Sequence, residues 1–329
     1  MLRRIRLIVA LVFFILITLL FLDFTGTLHA WFGWLAKMQF LPAVLALNVG
    51  VILFWVVLTL VFGRVYCSVI CPLGVFQDVV SWFSGRRKKK KYRFSYSPAV
   101  SWLRYGMLGV FIIAMIAGIG SVVALLAPYS SYGRIVSNLF APVYQWGNNV
   151  LAYFAERCDN YAFYETSVWL KSLPTFIIAA VTFVVLVVLA WRNGRTYCNT
   201  ICPVGTVLGF FSRYSLFRPE IDAEKCTNCS LCSRKCKAAC INYKDHRIDY
   251  SRCVTCMDCI DSCKHGAISY KYRFGKKEIK ETSETGNTNN ARRSFLTGMG
   301  LVLVSSAVKA QEKKVDGGLA VILDKKVPA

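Results

Sequence analysis

The sequence predicts a mainly α-helical membrane bundle of four transmembrane helices, followed by a small α+β module. Three observations carry this prediction. Four apolar runs, 5–24, 41–62, 102–127 and 174–191, each approach the ~20 residues needed to cross a bilayer. A twelve-residue phrase with the pattern G-R-x-Y-C-x-x-I-C-P-x-G occurs twice, at 63–74 and 194–205. Two cysteine runs of identical spacing then follow between Cys226 and Cys263.

The first apolar run begins close to the initiator and shows no small-residue cleavage site, so it reads as an anchor rather than a removed leader. Lysine and arginine in the short flanks set the orientation. Arg3, Arg4 and Arg6 precede the first run, and Arg86, Arg87, Lys88, Lys89, Lys90, Lys91 and Arg93 follow the second. The outer segments are poorer: 25–40 carries Lys37, and 128–173 carries Arg134, Arg157 and Lys171. Both ends of the four-helix unit, residues 1–215, and the module at 216–275 are therefore expected on the cytoplasmic side of a bacterial inner membrane. The net charge of +22 is largely this topology signal and a contact for anionic lipid, and it gives no support to nucleic-acid binding.

Each copy of the repeated phrase ends an outward-to-inward run. Proline disfavours α geometry in the residue before it and suits the first position of a new helix. Cys71 and Cys202 are thus expected at a break, with amphipathic interfacial helices continuing over 73–83 and 204–217. Cys67, Cys71, Cys198 and Cys202 should face one another near the membrane surface. Four such thiols could ligate a further metal cluster, cycle between dithiol and disulfide, or pack a helix turn; duplication of the arginine and tyrosine favours the first two. Cys158 stands alone in the second outer segment and reads as unpaired or structural.

The module is read from its cysteines. Cys226, Cys229, Cys232 and Cys236 form one C-x2-C-x2-C-x3-C run, and Cys253, Cys256, Cys259 and Cys263 form the other, 27 positions later. This is the spacing of bacterial two-cluster ferredoxins, in which the fourth cysteine of each run serves the other cube. The expected ligand sets for two [4Fe–4S] clusters are crossed: Cys226, Cys229, Cys232 and Cys263, and Cys253, Cys256, Cys259 and Cys236. Zinc or disulfides are the alternatives to this reading. Aligning the halves puts Cys240 opposite Ala267, so Cys240 is expected to be a small packing residue. Lys237 and Lys264 stand where the bacterial pattern has proline, placing a cation beside each cube.

Four membrane runs, two C-x3-C-P turns and a double-cluster module together resemble the NapH/NosR/CcoG group of membrane polyferredoxins, over residues 1 to about 272. The resemblance implies oxidation of menaquinol or ubiquinol, with electrons passed to a periplasmic ferredoxin or cytochrome partner. A flavinylation motif of the NosR type is absent. A second function within the group is electron supply for maturation of a respiratory metalloenzyme, as in CcoG-like proteins; the lack of an immunoglobulin-like domain after the module favours the quinol dehydrogenase. For quinol chemistry, Asp23 and His29 beside Trp31, Phe32 and Trp34 form one expected proton-accepting site, and Arg64, Tyr66, Arg195 and Tyr197 the competing one.

After a polar linker, 276–290, Arg292 and Arg293 open a twin-arginine-like segment, 291–310, followed by a short tail, 311–329. It reads as the start of a NapG-like partner within a longer polypeptide, or as a fifth anchor.

Overall fold

Two of the four apolar runs do not form single helices. In the computed structural model, which describes residues 2–23, 26–85, 94–157 and 172–274, the first run is one helix, α1 (Leu2–Leu22). Two short helices, α2 (Thr27–Phe32) and α3 (Trp34–Lys37), lead to α4 (Phe40–Leu45). A tight turn then opens α5 (Val49–Phe62). The turn has a local cause. Leu47 takes a left-handed backbone at φ 51°, the Asn48 amide donates back to Ala43, and the Asn48 side chain accepts from the Val51 amide to cap α5.

The third run breaks in the same way. α8 (Ser101–Ile116) ends at Gly118, φ 71°, with the Ile119 amide on the Ala114 carbonyl, and α9 (Gly120–Leu126) packs against α8. Gly118 has no Cβ to oppose the left-handed conformation, and hydropathy averaged over the run does not register it. Among the described residues, two helices are long and apolar enough to cross a membrane: α1 and the fourth run, α12 (Leu173–Asn193).

The first copy of the repeated phrase forms α6 (Val65–Val69) and α7 (Pro72–Gly85), and the second forms α13 (Thr196–Thr200) and α14 (Pro203–Ser212). The amphipathic helices expected over 73–83 and 204–217 are present as α7 and α14, and each buries one face against other helices. α7 packs on α1 and α12 and buries Leu73, Gly74, Gln77, Asp78, Ser81 and Ser84, while α14 packs between α5 and α8. The amphipathic pattern marks a face turned to a partner helix, which a hydropathy profile does not distinguish from one turned to lipid.

The second outer segment also differs from its expected loop. α10 (Pro128–Ile135), a π turn (Val136–Phe140) and α11 (Ala141–Arg157) follow one another without interruption. α10 contacts α7, α9 and α12, and buries Tyr132 against Phe14, Phe21 and Phe76. Interspersed Ser130, Ser131, Arg134 and Asn138 conceal its apolar face in sequence.

The module is the α+β unit expected. β1 (Phe217–Ile221) pairs antiparallel with β4 (Ile268–Tyr272), Phe217 opposite Tyr272. Between them lie α15 (Leu231–Lys235), the short antiparallel pair β2 (Ile241–Asn242) and β3 (Arg247–Ile248), and α16 (Asp258–Ser262), which packs on α15. The basic run at 86–93, Cys158, and the linker, twin-arginine segment and tail from 276 onward lie outside the described residues.

Candidate functional site

The backbone reproduces the module's internal repeat before any side chain is considered. Asn228, Ser230 and Ala239 adopt positive φ in the first half, and Thr255, Met257 and Gly266 do so 27 positions later. Left-handed backbone at non-glycine residues costs about 1–3 kcal/mol each and persists where the surroundings require it. Here it curls each cysteine loop around a cavity. The first cavity is lined by Cys226, Cys229, Cys232 and Cys263, and the second by Cys236, Cys253, Cys256 and Cys259, with Cys240. Each thus gathers three cysteines of one run and the fourth of the other, which is the crossed arrangement.

No three Cys, His, Asp or Glu side chains among the described residues are gathered closely enough to hold a single ion. The thiols instead line the walls of two spaces, an arrangement that fits a cube bound at its corners. The two spaces differ chiefly at one thiol. Around the first, Cys229 is exposed, Cys226 and Cys263 are half-buried and Cys232 is buried; around the second, Cys236 and Cys259 are buried and Cys253 and Cys256 half-buried. Cys240 is deeply buried, its sulfur 3.5 Å from that of Cys236. Hydrogen bonding to Cys240 holds the Cys236 thiol down at about 7 and also lowers Cys253, while Cys240 itself is raised. Cys240 thus lies on the wall of the second cavity, against the sulfur of Cys236.

The two lysines differ. Lys264 is exposed. Lys237 is drawn inward, with Nζ 3.1 Å from Asp258 and 3.7 Å from Asp78. Asp78 also takes a two-point bond from Arg195, at 2.8 and 2.7 Å, and a further one from Arg6, while Asp258 takes one from Arg3 at 2.8 Å. Burial alone would raise Asp78, but Arg195 and Lys237 hold it well below the usual carboxylate range. Burial would likewise lower Lys237 and raise Asp258; their mutual attraction, with Asp78 and Arg3, reverses both. This buried network ties α1, α7, the second phrase and the module together.

The duplicated phrases fold alike. In the first, the Cys71 amide donates to Tyr66 O at 3.0 Å and Val75 N to Cys71 O at 3.1 Å; in the second, Cys202 donates to Tyr197 and Thr206 to Cys202 at the same distances. The arginines are exchanged between copies. Arg195 donates to Cys67 O at 2.7 Å, and Arg64 to Cys198 O at 3.2 Å. Gly74 and Gly205 permit this: a Cβ at either would sit 2.3 or 2.1 Å from the carbonyl of its own Cys67 or Cys198. Cys67, Cys71, Cys198 and Cys202 are all buried and share one core with Tyr66 and Tyr197. The structure thus brings together the four thiols that the sequence paired.

Of the residues expected to serve as proton sites, Asp23, Tyr66 and Tyr197 are engaged in hydrogen bonds. Both carboxylate oxygens of Asp23 accept backbone amides, from Gly26 at 2.9 Å and His29 at 3.0 Å, at the start of α2. Tyr66 donates to Gln39 at 2.8 Å and accepts from the Phe40 amide, and Tyr197 donates to Leu126 O. A cavity of about 270 Å³ that the sequence did not indicate lies between the two helix turns, lined by Leu45, Ala114, Gly118, Val123, Ala127 and Ser130 among others. Its inner residues Ala114, Val123 and Ala127 belong to the core that holds the four thiols. The only sequence signal for it was Gly118 within an apolar run.

Comparison with known proteins agrees with this division. A family described as a 4Fe-4S binding domain matches residues 44–91 and 174–222, each spanning one copy of the phrase, and a second family of the same description matches 246–269. The methylamine utilization ferredoxin-type protein MauN of Paracoccus denitrificans is 25% identical over 191 residues, 57% of this chain and 53% of that protein. The ferredoxin-type protein NapH of Haemophilus influenzae is 27% identical over 191 residues, 57% of this chain and 52% of its own length. An uncharacterized protein of Methanocaldococcus jannaschii is 36% identical over 61 residues, 18% of this chain and 25% of that protein. The chain spans about half the length of the ferredoxin-type relatives, and no solved structure matches it. The resemblance to NapH-type polyferredoxins read from the motifs is borne out by these matches.

Proposed function

We infer that this chain is an iron–sulfur electron-transfer protein of the NapH type, and that it oxidises quinol in a membrane and delivers the electrons to a redox partner. The observation that carries the reading is the placement of twelve cysteines in three groups of four: the duplicated phrases in the helical core, then the two crossed cavities of the module. Cys226, Cys229, Cys232 and Cys263 would hold one cluster, and Cys236, Cys253, Cys256 and Cys259 another. Cys67, Cys71, Cys198 and Cys202 would hold a third, a use supported by the 4Fe-4S family match across both phrases. Such clusters, when bound, accept and release single electrons.

The protein's own residues supply the rest. The buried guanidinium groups of Arg64 and Arg195 give the core thiols a positive surrounding in a medium of low dielectric. The 270 Å³ cavity offers an apolar slot for a quinol ring, with the Ser130 hydroxyl on its wall. Quinol oxidation releases two electrons and two protons, and Ala114, Val123 and Ala127 of the slot belong to the same core as the thiols. α1, α5, α8 and α12 are the four expected crossings. Arg3 of α1, Phe62 of α5, Arg104 of α8 and Arg195 after α12 all contact the module, so these helix ends lie on its side of the bundle. The positive-inside pattern makes that side cytoplasmic.

The test is reduction of the protein in membranes by a quinol analogue, followed by electron paramagnetic resonance of the iron–sulfur signals. Quinol-driven appearance of reduced signals is expected. Signals that appear with dithionite but never with quinol would instead favour an electron donor in metalloenzyme maturation.

A further inference from the structure

Among the described residues, two arginines are entirely shielded from solvent, Arg64 and Arg195. Burying a guanidinium is costly unless a negative group balances it. Arg195 has that balance in Asp78. Arg64 does not: among the described residues no carboxylate lies within ion-pairing distance of it. Its partners are Asn199 Oδ1 at 2.9 Å, Ser251 O and Cys198 O at 3.2 Å, and the Cys67 sulfur at 3.9 Å. Arg104, also buried and without a carboxylate partner, meets the same Ser251 carbonyl at 2.9 Å.

The position of Arg64 explains what balances it. On one side its Nη2 meets the Cys198 carbonyl at 3.2 Å and the Cys67 sulfur at 3.9 Å. On the other is Ser251, two residues before Cys253, a member of the second cavity. The second phrase reaches the same cavity through its backbone: Arg195 N donates to Lys237 O at 3.0 Å, and Asn199 Nδ2 to Ala238 O at 3.3 Å, both just past Cys236. The two phrases therefore meet the module at segments flanking Cys236 and Cys253, on the second cavity and not on the first.

We propose that Arg64 is the shared counter-cation of the four core thiols and the Cys236/Cys253/Cys256/Cys259 cavity, and that this cavity is the electron entry of the module while the Cys226/Cys229/Cys232/Cys263 cavity is its exit. The inference rests on the iron–sulfur reading above and extends it by fixing the order of the sites. With clusters bound at these sites, each of the two electrons given up by a quinol, whose two protons are released to water, would pass from the core thiol site past Arg64 and Ser251 to the second cavity. It leaves through the first, where Cys229 is exposed to a partner. Arg64 is a positioning and tuning residue. Its charge favours the more negative, reduced state of whatever it faces.

The experiment is a redox titration of the full-length protein with dithionite, followed by paramagnetic resonance, in wild type, Arg64→Gln and Arg64→Lys. Cys229→Ser and Cys256→Ser identify which module signal belongs to which cavity. Arg64→Gln is expected to lower the midpoint potential of the signal abolished by Cys256→Ser and to leave the other in place, and Arg64→Lys to restore most of the shift. Equal movement of both signals, movement of neither, or movement only of the Cys229 signal overturns the proposal. If Arg64→Gln does not fold, Arg104→Gln removes a cation from the same carbonyl and must move the same signal alone; otherwise the proposal fails. Dithionite makes the outcome independent of quinol. A wild type without module signals would remove the iron–sulfur reading itself, whereas intact signals indifferent to both arginines remove this inference alone.

Discussion

Cys240 and Lys237 show how much a single side chain's role depends on its neighbours. In the alignment of the two halves Cys240 faces an alanine, and its sulfur lies 3.5 Å from that of Cys236. Cys240→Ala should therefore keep about eight irons in the module, from two cubes of four, while Cys229→Ser and Cys256→Ser each remove one signal. Losing the thiol hydrogen bond should lower the potential of the Cys256-dependent signal, because such bonds stabilise the reduced state. Iron loss in the alanine variant would show that Cys240 is a ligand. The two lysines, equivalent in sequence, should respond differently to charge reversal. Lys237→Glu sets three carboxylates together beside the second cavity and should lower that signal's potential. Lys264→Glu, on an exposed residue, should leave the first nearly unchanged. Titration of both variants checks this, and equal shifts would mean that burial of Lys237 is irrelevant to tuning.

At the scale of elements, α7 is the joint between bundle and module. Removing one member of a buried charge network commonly costs about 3–5 kcal/mol, because the remaining charges are left unbalanced. Asp78→Ala strands Arg195 and Arg6 and leaves Lys237 with Asp258 alone, and should lower stability by that order in thermal or denaturant unfolding; a neutral result would show that water reaches the joint. The pH dependence follows from the directions of the shifts. Asp78 and Asp258 are depressed, so their stabilisation is present above the ordinary carboxylate pKa and is lost as pH falls through the depressed values. Lys237 is raised, so its contribution is present below the ordinary lysine pKa and is lost as pH rises through the higher one. The joint should hold through the neutral range and open first in acid or strong alkali, as measured by hydrogen exchange across α7 and α16. Filling the cavity between the helix turns tests another element. Val123→Trp should slow quinol-driven reduction while dithionite still reduces every signal. Unchanged quinol kinetics would place the ring elsewhere.

Considered whole, the molecule places both membrane phrases and the module on one side of the bundle. In a Cys158→Ser background, an impermeant maleimide should label Cys229 of cluster-free protein in inverted vesicles and not in spheroplasts. Labelling in spheroplasts would reverse the orientation derived from lysine and arginine counts. The sequence by itself determined the ferredoxin-type iron–sulfur character. Cysteine spacing is a local, covalent pattern, so the grouping of cysteines around each cavity and the paired C-x3-C-P turns were legible without coordinates. So was the α+β character of the module, since its repeat fixes where each chain reversal falls. Hydropathy found the apolar runs but not their breaks at Leu47 and Gly118, because a helix end is set by one or two backbone angles that an average over twenty residues hides. The exchange of Arg64 and Arg195 between phrases, the inward turn of Lys237 and the slot beside Gly118 were decided only by tertiary structure. Each joins residues far apart in the chain, and a buried charge selects its partner by three-dimensional proximity, which no spacing along the sequence encodes.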